Sequence, residues 1–202
     1  MNIVCLDLEG VLVPEVWVSL ADITGVEAFR ETTRNVPDYD ELMQARLQEM
    51  DRHGLGLADV QEAVSRITPL PGAREFLDGL RSDYQVVILS DTFYEFARPL
   101  MAQLGWPTLF CHNLEVGGDG RILSHQIRLE DHKRSTVEAL KGLNFRTVAA
   151  GDSYNDTGML GVADRGFFFC PPEMVAQQFP QYPVTREYGE LRSAIDKAFE
   201  AR

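Results

Sequence analysis

Residues 3–15 read IVCLDLEGVLVPE, and the fold turns on how this stretch is understood. Ile3, Val4, Cys5 and Leu6 form a short continuous apolar run, the pattern of a strand covered on both faces. Asp7 and Glu9 follow at once, with Glu15 a few residues on. Carboxylates crowded against a core repel one another and lose hydration, so their position calls for a partner that offsets the charge.

Three further runs resemble the first: QVVIL at 85–89, RTVAA at 146–150 and GFFFC at 166–170. Helical patterns lie between them at 73–81, 132–142 and 187–201, the last with Leu191, Ile195 and Phe199 four apart. Alternating strands and helices predict a doubly wound α/β domain with a Rossmann-type parallel sheet. Two segments interrupt the alternation. Residues 14–70 carry three helical patterns and no strand: Val16, Trp17, Leu20 and Ile23; then Leu42, Met43, Leu47 and Met50 after Pro37-Asp38-Tyr39-Asp40-Glu41; then 58–67. They predict a helical-bundle cap inserted in a core of residues 1–13 and 71–202, with Val13-Pro14 and 69–72 as hinge strands. Residues 109–129 centre on Gly117-Gly118-Asp119-Gly120 and predict a β-hairpin.

The protein has 202 residues with 19 Lys and Arg against 31 Asp and Glu, a net charge of −12. That surface disfavours nucleic acid and anionic membranes, and an anionic substrate would need local positive charge. Cys5, Cys111 and Cys170 show no CxxC spacing and read as buried, reduced thiols of a cytoplasmic protein. No apolar run reaches membrane-spanning length. His53, His112, His125 and His132 show no metal-ligand spacing and read as structural.

Ligands of open α/β sheets sit beyond the carboxyl ends of the strands. Asp7-Leu8-Glu9-Gly10, Ser90-Asp91-Thr92 and Gly151-Asp152-Ser153-Tyr154-Asn155-Asp156 all fall at such ends, and Lys133 opens the helix before RTVAA. Each has an ordinary reading as a strand-end or helix-capping group, and Lys133 lies in the charged run 130–134, where Arg134 competes for the same role. Converging acids would suit Mg²⁺, a hard cation that prefers oxygen. A carboxylate can attack phosphorus, and a second acid can serve the leaving alkoxide. Ser90 Oγ and backbone N–H groups near 91 could hold phosphoryl oxygens.

Asp7-x-Glu9-Gly10-Val11, Ser90, Lys133 and Gly151-Asp152-Ser153-x-Asn155-Asp156 together resemble the four motifs of the haloacid dehalogenase superfamily, in order and over nearly the whole sequence. LSDTF at 89–93 and the cap placement resemble its phosphoserine phosphatase branch. DLEGV and GDSYNDT are most similar to its members that also pass phosphate to homoserine. The resemblance implies Asp7 as nucleophile and metal ligand, and Glu9 as acid/base whose backbone carbonyl meets the metal. It implies Asp152 as a further Mg²⁺ ligand, supported by Asp156, with Ser90, Asp91, Lys133 and Asn155 around the phosphate. Glu15 would meet a substrate ammonium and Arg46 a substrate carboxylate. The usual first motif has Asp and Thr where this sequence has Glu9 and Val11. The longer acid displaces the proton shuttle, and slow hydrolysis would leave time for an alcohol to intercept the phosphoenzyme. A homodimer is compatible with all of this. Two other readings stand beside it: a phosphatase for another small phosphomonoester, and a phospho-acceptor signalling module, which the cap after the first strand opposes.

Overall fold

The computed structural model describes residues 1–32, 36 and 38–201. Seven strands form one sheet in the order β4-β3-β2-β1-β5-β6-β7. They are β1 (Asn2–Leu6), β2 (Gln85–Phe93), β3 (Thr108–Val116), β4 (Ile122–Gln126), β5 (Arg146–Gly151), β6 (Arg165–Phe169) and β7 (Val184–Thr185). All neighbours are parallel except the β3–β4 hairpin. The central strand β1 has β2 on one side and β5 on the other, with Val4 opposite Val86 and Val148. The polypeptide reverses its winding direction there, so the crevice between the ends of β1 and β5 is the switch point.

The strands are apolar on both faces because both are covered. Val4, Leu6, Ile88, Val148, Phe167 and Phe169 pack toward one side, with Phe76, Leu77, Ile195 and Phe199 of helices α4 (Ala73–Asp83) and α9 (Tyr188–Glu200). Ile3, Cys5, Val87, Leu89, Ala149 and Phe168 pack toward the other, against α6 (His132–Gly142), α7 (Thr157–Val162) and α8 (Glu173–Gln178). The three consecutive phenylalanines thus divide between two cores, as the two-residue period of a strand requires. Cys5 and Cys111 are buried, but Cys170 is exposed, at the turn where the backbone leaves β6 in a left-handed conformation.

Among the described residues between β1 and α4 lie three helices, α1 (Val16–Thr24), α2 (Tyr39–Arg52) and α3 (Leu57–Ser65), and a 3-10 turn at Glu27–Arg30. Asp38 caps α2 by accepting from the Glu41 N–H at 2.9 Å. Pro37, part of the same predicted start signal, lies outside the described residues. The two connections to the core run side by side, joined from Leu70 N–H to Leu12 C=O at 2.9 Å. Apolar residues of these helices, including Leu20, Met43 and Val64, continue the core formed by Leu77 and Phe96.

Two elements differ from the sequence pattern. Strand β2 runs on through Ser90, Asp91 and Thr92 to Phe93, with a register shift against β3 between Leu89 and Phe93. Helix α5 (Tyr94–Gln103) then follows, with Pro99 inside it. Proline gives no N–H to the carbonyl four residues back. That carbonyl, on Glu95, accepts instead from Gln61 Nε2 of α3 at 2.8 Å. The helix defect is thereby turned into a bond between the inserted helices and the core.

The hairpin forms where its glycines place it, with Gly117 N–H bonded to Arg121 C=O at 2.8 Å. It reaches past the sheet and props α2 and α3. Arg121 pairs with Asp51 at 2.7 Å, His125 with Asp40 at 2.9 Å, and Gly120 C=O accepts from Leu57 N–H at 2.9 Å.

Candidate active site

Asp7 leaves β1 directly into the switch crevice and is buried, with its own N–H bonded to Ala150 C=O at 2.9 Å. Lys133 reaches it from the first turn of α6, Nζ to Oδ1 at 3.0 Å. The same ammonium lies 2.8 Å from Asp156 Oδ1 and 3.4 Å from Asp91 Oδ2. An ammonium has three N–H donors, and here three carboxylates surround them. Lys133 is buried, whereas Arg134 is exposed and pairs with Glu138 at 3.0 Å, so Lys133 is the basic residue that the crevice receives.

Two glycines explain how the acids come so close. Gly10 has φ +73°, and a Cβ there would sit 2.4 Å from Asp152 Cγ. A Cβ on Gly151 would sit 2.3 Å from Asp156 Cγ. Only glycine lets each carboxylate lie against the backbone. Asp156 is fully buried and uses both oxygens: Oδ1 takes Lys133, and Oδ2 accepts the N–H groups of Asp152 and Ser153 at 2.9 and 3.0 Å.

The charges do not balance. Burial, then Asp156, pushes the Asp7 carboxyl well above the usual range, against the pull of Lys133. Burial together with Asp156 and Glu15 raises Asp152 to about 7. Burial and then Glu15 raise Glu9 to about 8, although the Val16 N–H opposes this. For Lys133, burial works downward, but Asp156, Asp7 and Asp91 more than offset it and hold the ammonium well above its ordinary range. Oxygen atoms of Asp7, Asp152 and Asp156 lie within 4.8 Å of one another. This all-oxygen set with unspent negative charge fits a hard divalent cation. Both oxygens of Asp156 are already engaged, so Asp7 and Asp152 are the better placed to turn a carboxylate oxygen toward one.

Glu9 is half-buried, and its Oε2 accepts from Val16 N–H, the first residue of α1, at 2.8 Å. One oxygen is thus tied to a helix N-terminus. Ser90 is buried at the β2 end, with Oγ accepting the Thr92 N–H at 3.2 Å. Asp91 accepts from Asn155 Nδ2 at 2.6 Å and from His132 Nε2 at 3.1 Å. Burial would raise Asp91, yet Lys133 and the N–H groups of His112, His132 and Asn155 hold it well below the usual carboxylate range.

From the inserted helices, Glu15 is exposed but close enough to raise both Glu9 and Asp152. Arg46 is buried, with its guanidinium 4.2 Å over the Trp17 ring and Nη2 on Glu31 C=O at 2.7 Å. Its Nε is buried without a partner among the described residues. Burial lowers it to about 10. Tyr39, at the start of the same helix, donates its hydroxyl to the Asp91 backbone carbonyl at 3.3 Å. Sequence reasoning did not single out Tyr39, Trp17, His112 or His132 for this site. The GDSYNDT and DLEG spacings announce a site, but nothing local to 39, 17, 112 or 132 does.

A buried lysine–aspartate pair at the switch point, ringed by carboxylates, is the arrangement of a phosphoryl-transfer enzyme of the haloacid dehalogenase type. The haloacid dehalogenase-like hydrolase model matches residues 1–164, and the protein belongs to this family. More particularly, it is 54% identical over 198 residues to phosphoserine phosphatase ThrH of Pseudomonas aeruginosa, covering 98% of this sequence and 97% of that protein. It is 55% identical over 198 residues to a phosphoserine phosphatase of Pseudomonas syringae pv. tomato, covering 98% and 84%. The fold is similar to that of a phosphoserine phosphatase crystallised in its apo form, with a TM-score of 0.77, 23% identity and coverage of 95% and 98%. A phospho-aspartyl intermediate analogue of phosphoserine phosphatase gives 0.77, 22%, 96% and 98%.

Proposed function

We propose that this protein is a Mg²⁺-dependent phosphoserine phosphatase that works through an aspartyl-phosphate on Asp7 and also passes the phosphoryl group to homoserine. The observation that carries the reading is the buried Asp7–Lys133 pair at 3.0 Å, set at the switch point among further acids. The names of the two Pseudomonas relatives support the substrate. Residues 14–70 act as the cap on a core of 1–13 and 71–202.

Asp7 attacks phosphorus in line with the seryl oxygen, and the P–O bond to serine breaks. Glu9 gives its proton to the departing alkoxide, then takes one from water, which attacks the aspartyl-phosphate and frees phosphate. With homoserine as acceptor, Glu9 takes the hydroxyl proton instead. Mg²⁺ held by Asp7, Asp152 and the Glu9 carbonyl would supply charge neutralisation for the phosphoryl oxygens. Lys133, Ser90 Oγ and backbone N–H groups near Asp91 hold those oxygens, Asn155 borders them, and Asp156 fixes Lys133. Glu15 receives the substrate ammonium and Arg46 its carboxylate, which selects an amino acid over a sugar phosphate.

The test is incubation with phosphoserine and Mg²⁺, with and without homoserine, reading phosphate and phosphohomoserine together. Phosphate release with Mg²⁺, and its partial replacement by phosphohomoserine, is expected. Release from other phosphomonoesters but not from phosphoserine would overturn the substrate. Glu9→Asp should raise the ratio of hydrolysis to transfer, because the shorter acid gives up the Val16 anchor; an unchanged ratio removes Glu9 from acceptor choice.

A further inference from the structure

A carboxylate beside a phosphate site needs a reason, because its charge opposes the ligand. Asp91 is such a group, and two buried imidazoles hold it. His132 opens α6, and its Nε2 lies 3.1 Å from Asp91 Oδ1. His112 sits on β3, with Nε2 3.6 Å from the same oxygen and its ring 4.7 Å from that of His132. Both are almost wholly buried.

The far side of each ring decides where its proton is. His132 Nδ1 faces Arg128 Nη2 at 3.2 Å, and His112 Nδ1 faces the Arg128 backbone N–H at 3.2 Å. A guanidinium and a peptide N–H can only donate. Both Nδ1 atoms therefore accept, and each proton lies on Nε2, aimed at Asp91. The other oxygen of Asp91, Oδ2, accepts Asn155 Nδ2 at 2.6 Å and lies 3.4 Å from Lys133 Nζ.

Two imidazoles and a carboxylate so close together also have the spacing of a metal site. A ligating histidine, however, donates its outer N–H to an acceptor and turns a bare nitrogen to the metal. Here both outer nitrogens face donors, so the inner ones carry hydrogen. The cluster is a hydrogen-bond relay.

We propose that His132, assisted by His112, is a positioning residue for phosphoryl transfer. Arg128 fixes the two rings, the rings fix Asp91 Oδ1, and Asp91 Oδ2 orients Lys133 and Asn155. The imidazole N–H groups also draw the Asp91 charge away from the phosphate. Of the three carboxylates around Lys133, Asp91 lies farthest, so it is the one that yields an N–H to an incoming phosphoryl oxygen. His132 and Asn155 keep it satisfied when it does. This rests on the reading of Asp7 and Lys133 as phosphoryl-transfer groups.

The experiment compares His132→Leu with His132→Gln, which keeps an N–H donor, in the Mg²⁺-loaded enzyme. kcat and KM are measured on phosphoserine and on an aryl phosphate, alone and in an Asp91→Asn background, with melting curves throughout. His132→Leu should lower kcat on both substrates by about a hundredfold, the scale of a misplaced catalytic group. His132→Gln should recover most of it, and in Asp91→Asn the Leu variant should cost little more, because coupled residues are not additive. Nitrogen–proton correlation spectra of the wild type should show both imidazoles protonated at Nε2. Wild-type kcat in His132→Leu, equal damage from Gln and Leu, full additivity with Asp91→Asn, or protons on Nδ1 would each overturn the proposal. So would stoichiometric Co²⁺ uptake that His132→Leu abolishes. If His132→Leu does not fold, the wild-type spectra and His132→Gln still decide. A wild type inert toward both phosphates would sink the phosphatase reading instead, while the spectra still report on the relay.

Discussion

Replacing Arg46 by Met separates binding from stability. Arg46 is 6% exposed and has a buried Nε with no partner among the described residues. Burial draws it down to about 10, from an ordinary value above 12; at about 1.4 kcal/mol per pH unit, holding the charge there costs the fold about 3 kcal/mol. Below pH 10 the group is charged whether the protein is folded or not, so that cost is present in full at neutral pH. Methionine keeps much of the apolar stem and can still lie against Trp17, which now stacks on the guanidinium at 4.2 Å. It gives up that stacking, worth about 0.5 to 2 kcal/mol, and the bond to Glu31 C=O. The relieved cost and these losses are of similar size, so, free of substrate, Arg46→Met should melt within a few degrees of the wild-type temperature. With phosphoserine, it loses a charge-assisted hydrogen bond worth about 1.5 to 3 kcal/mol, a fall in kcat/KM of about ten- to a hundredfold. An aryl phosphate, which has no carboxylate to offer, should change by less than about threefold. Steady-state kinetics on both substrates and calorimetry on the apo protein check this. Equal losses on both, or a clear drop in melting temperature with phosphoserine turnover intact, would refute the view that a strained buried charge is kept for the substrate.

Gly10→Ala should weaken Mg²⁺ binding and turnover together, since its Cβ would strike Asp152 and its φ of +73° costs any L-residue about 1 to 2 kcal/mol; titration calorimetry with Mg²⁺ reads it, and unchanged affinity would count against the assigned ligand. The raised Asp152 gives a pH signature. Its folded value of about 7 exceeds that of the unfolded state, so ionisation is disfavoured in the fold and the metal-free protein loses stability as pH rises from about 4 through 7. Mg²⁺ should accordingly raise the melting temperature more at pH 8 than at pH 5.5, and removal by chelator should reverse it; equal shifts at both would contradict the charge imbalance. Gln61→Leu leaves the Glu95 carbonyl unpaired opposite Pro99 and should cost about 1 to 3 kcal/mol in urea denaturation, with little effect if water replaces the amide.

Much of the molecule was legible in the order of its residues. The runs at 3–6, 85–89, 146–150 and 166–170 became β1, β2, β5 and β6, and the helical patterns at 73–81, 132–142 and 187–201 became α4, α6 and α9 within a residue or two. Asp7, Glu9, Ser90, Lys133 and Asp152 stood out because polar groups at strand ends and at the head of a helix keep fixed local spacing, and the structure brings Asp7, Lys133 and Asp152 into one crevice. Helix α5 was harder, since Pro99 hides a helix whose missing bond is made by Gln61, far away in sequence. The continuation of β2 through Phe93 depends on its pairing with His112 of β3.

By itself the sequence determined which segments are buried and which polar groups stand at their ends. Hydrophobic period and loop chemistry act over a few residues and are written there. Only the tertiary structure decided which distant groups meet: the two histidines behind Asp91, Trp17 beneath Arg46, and Asp152 against Gly10. Those meetings follow from crossover direction and strand register, which bring together atoms that no local sequence pattern relates.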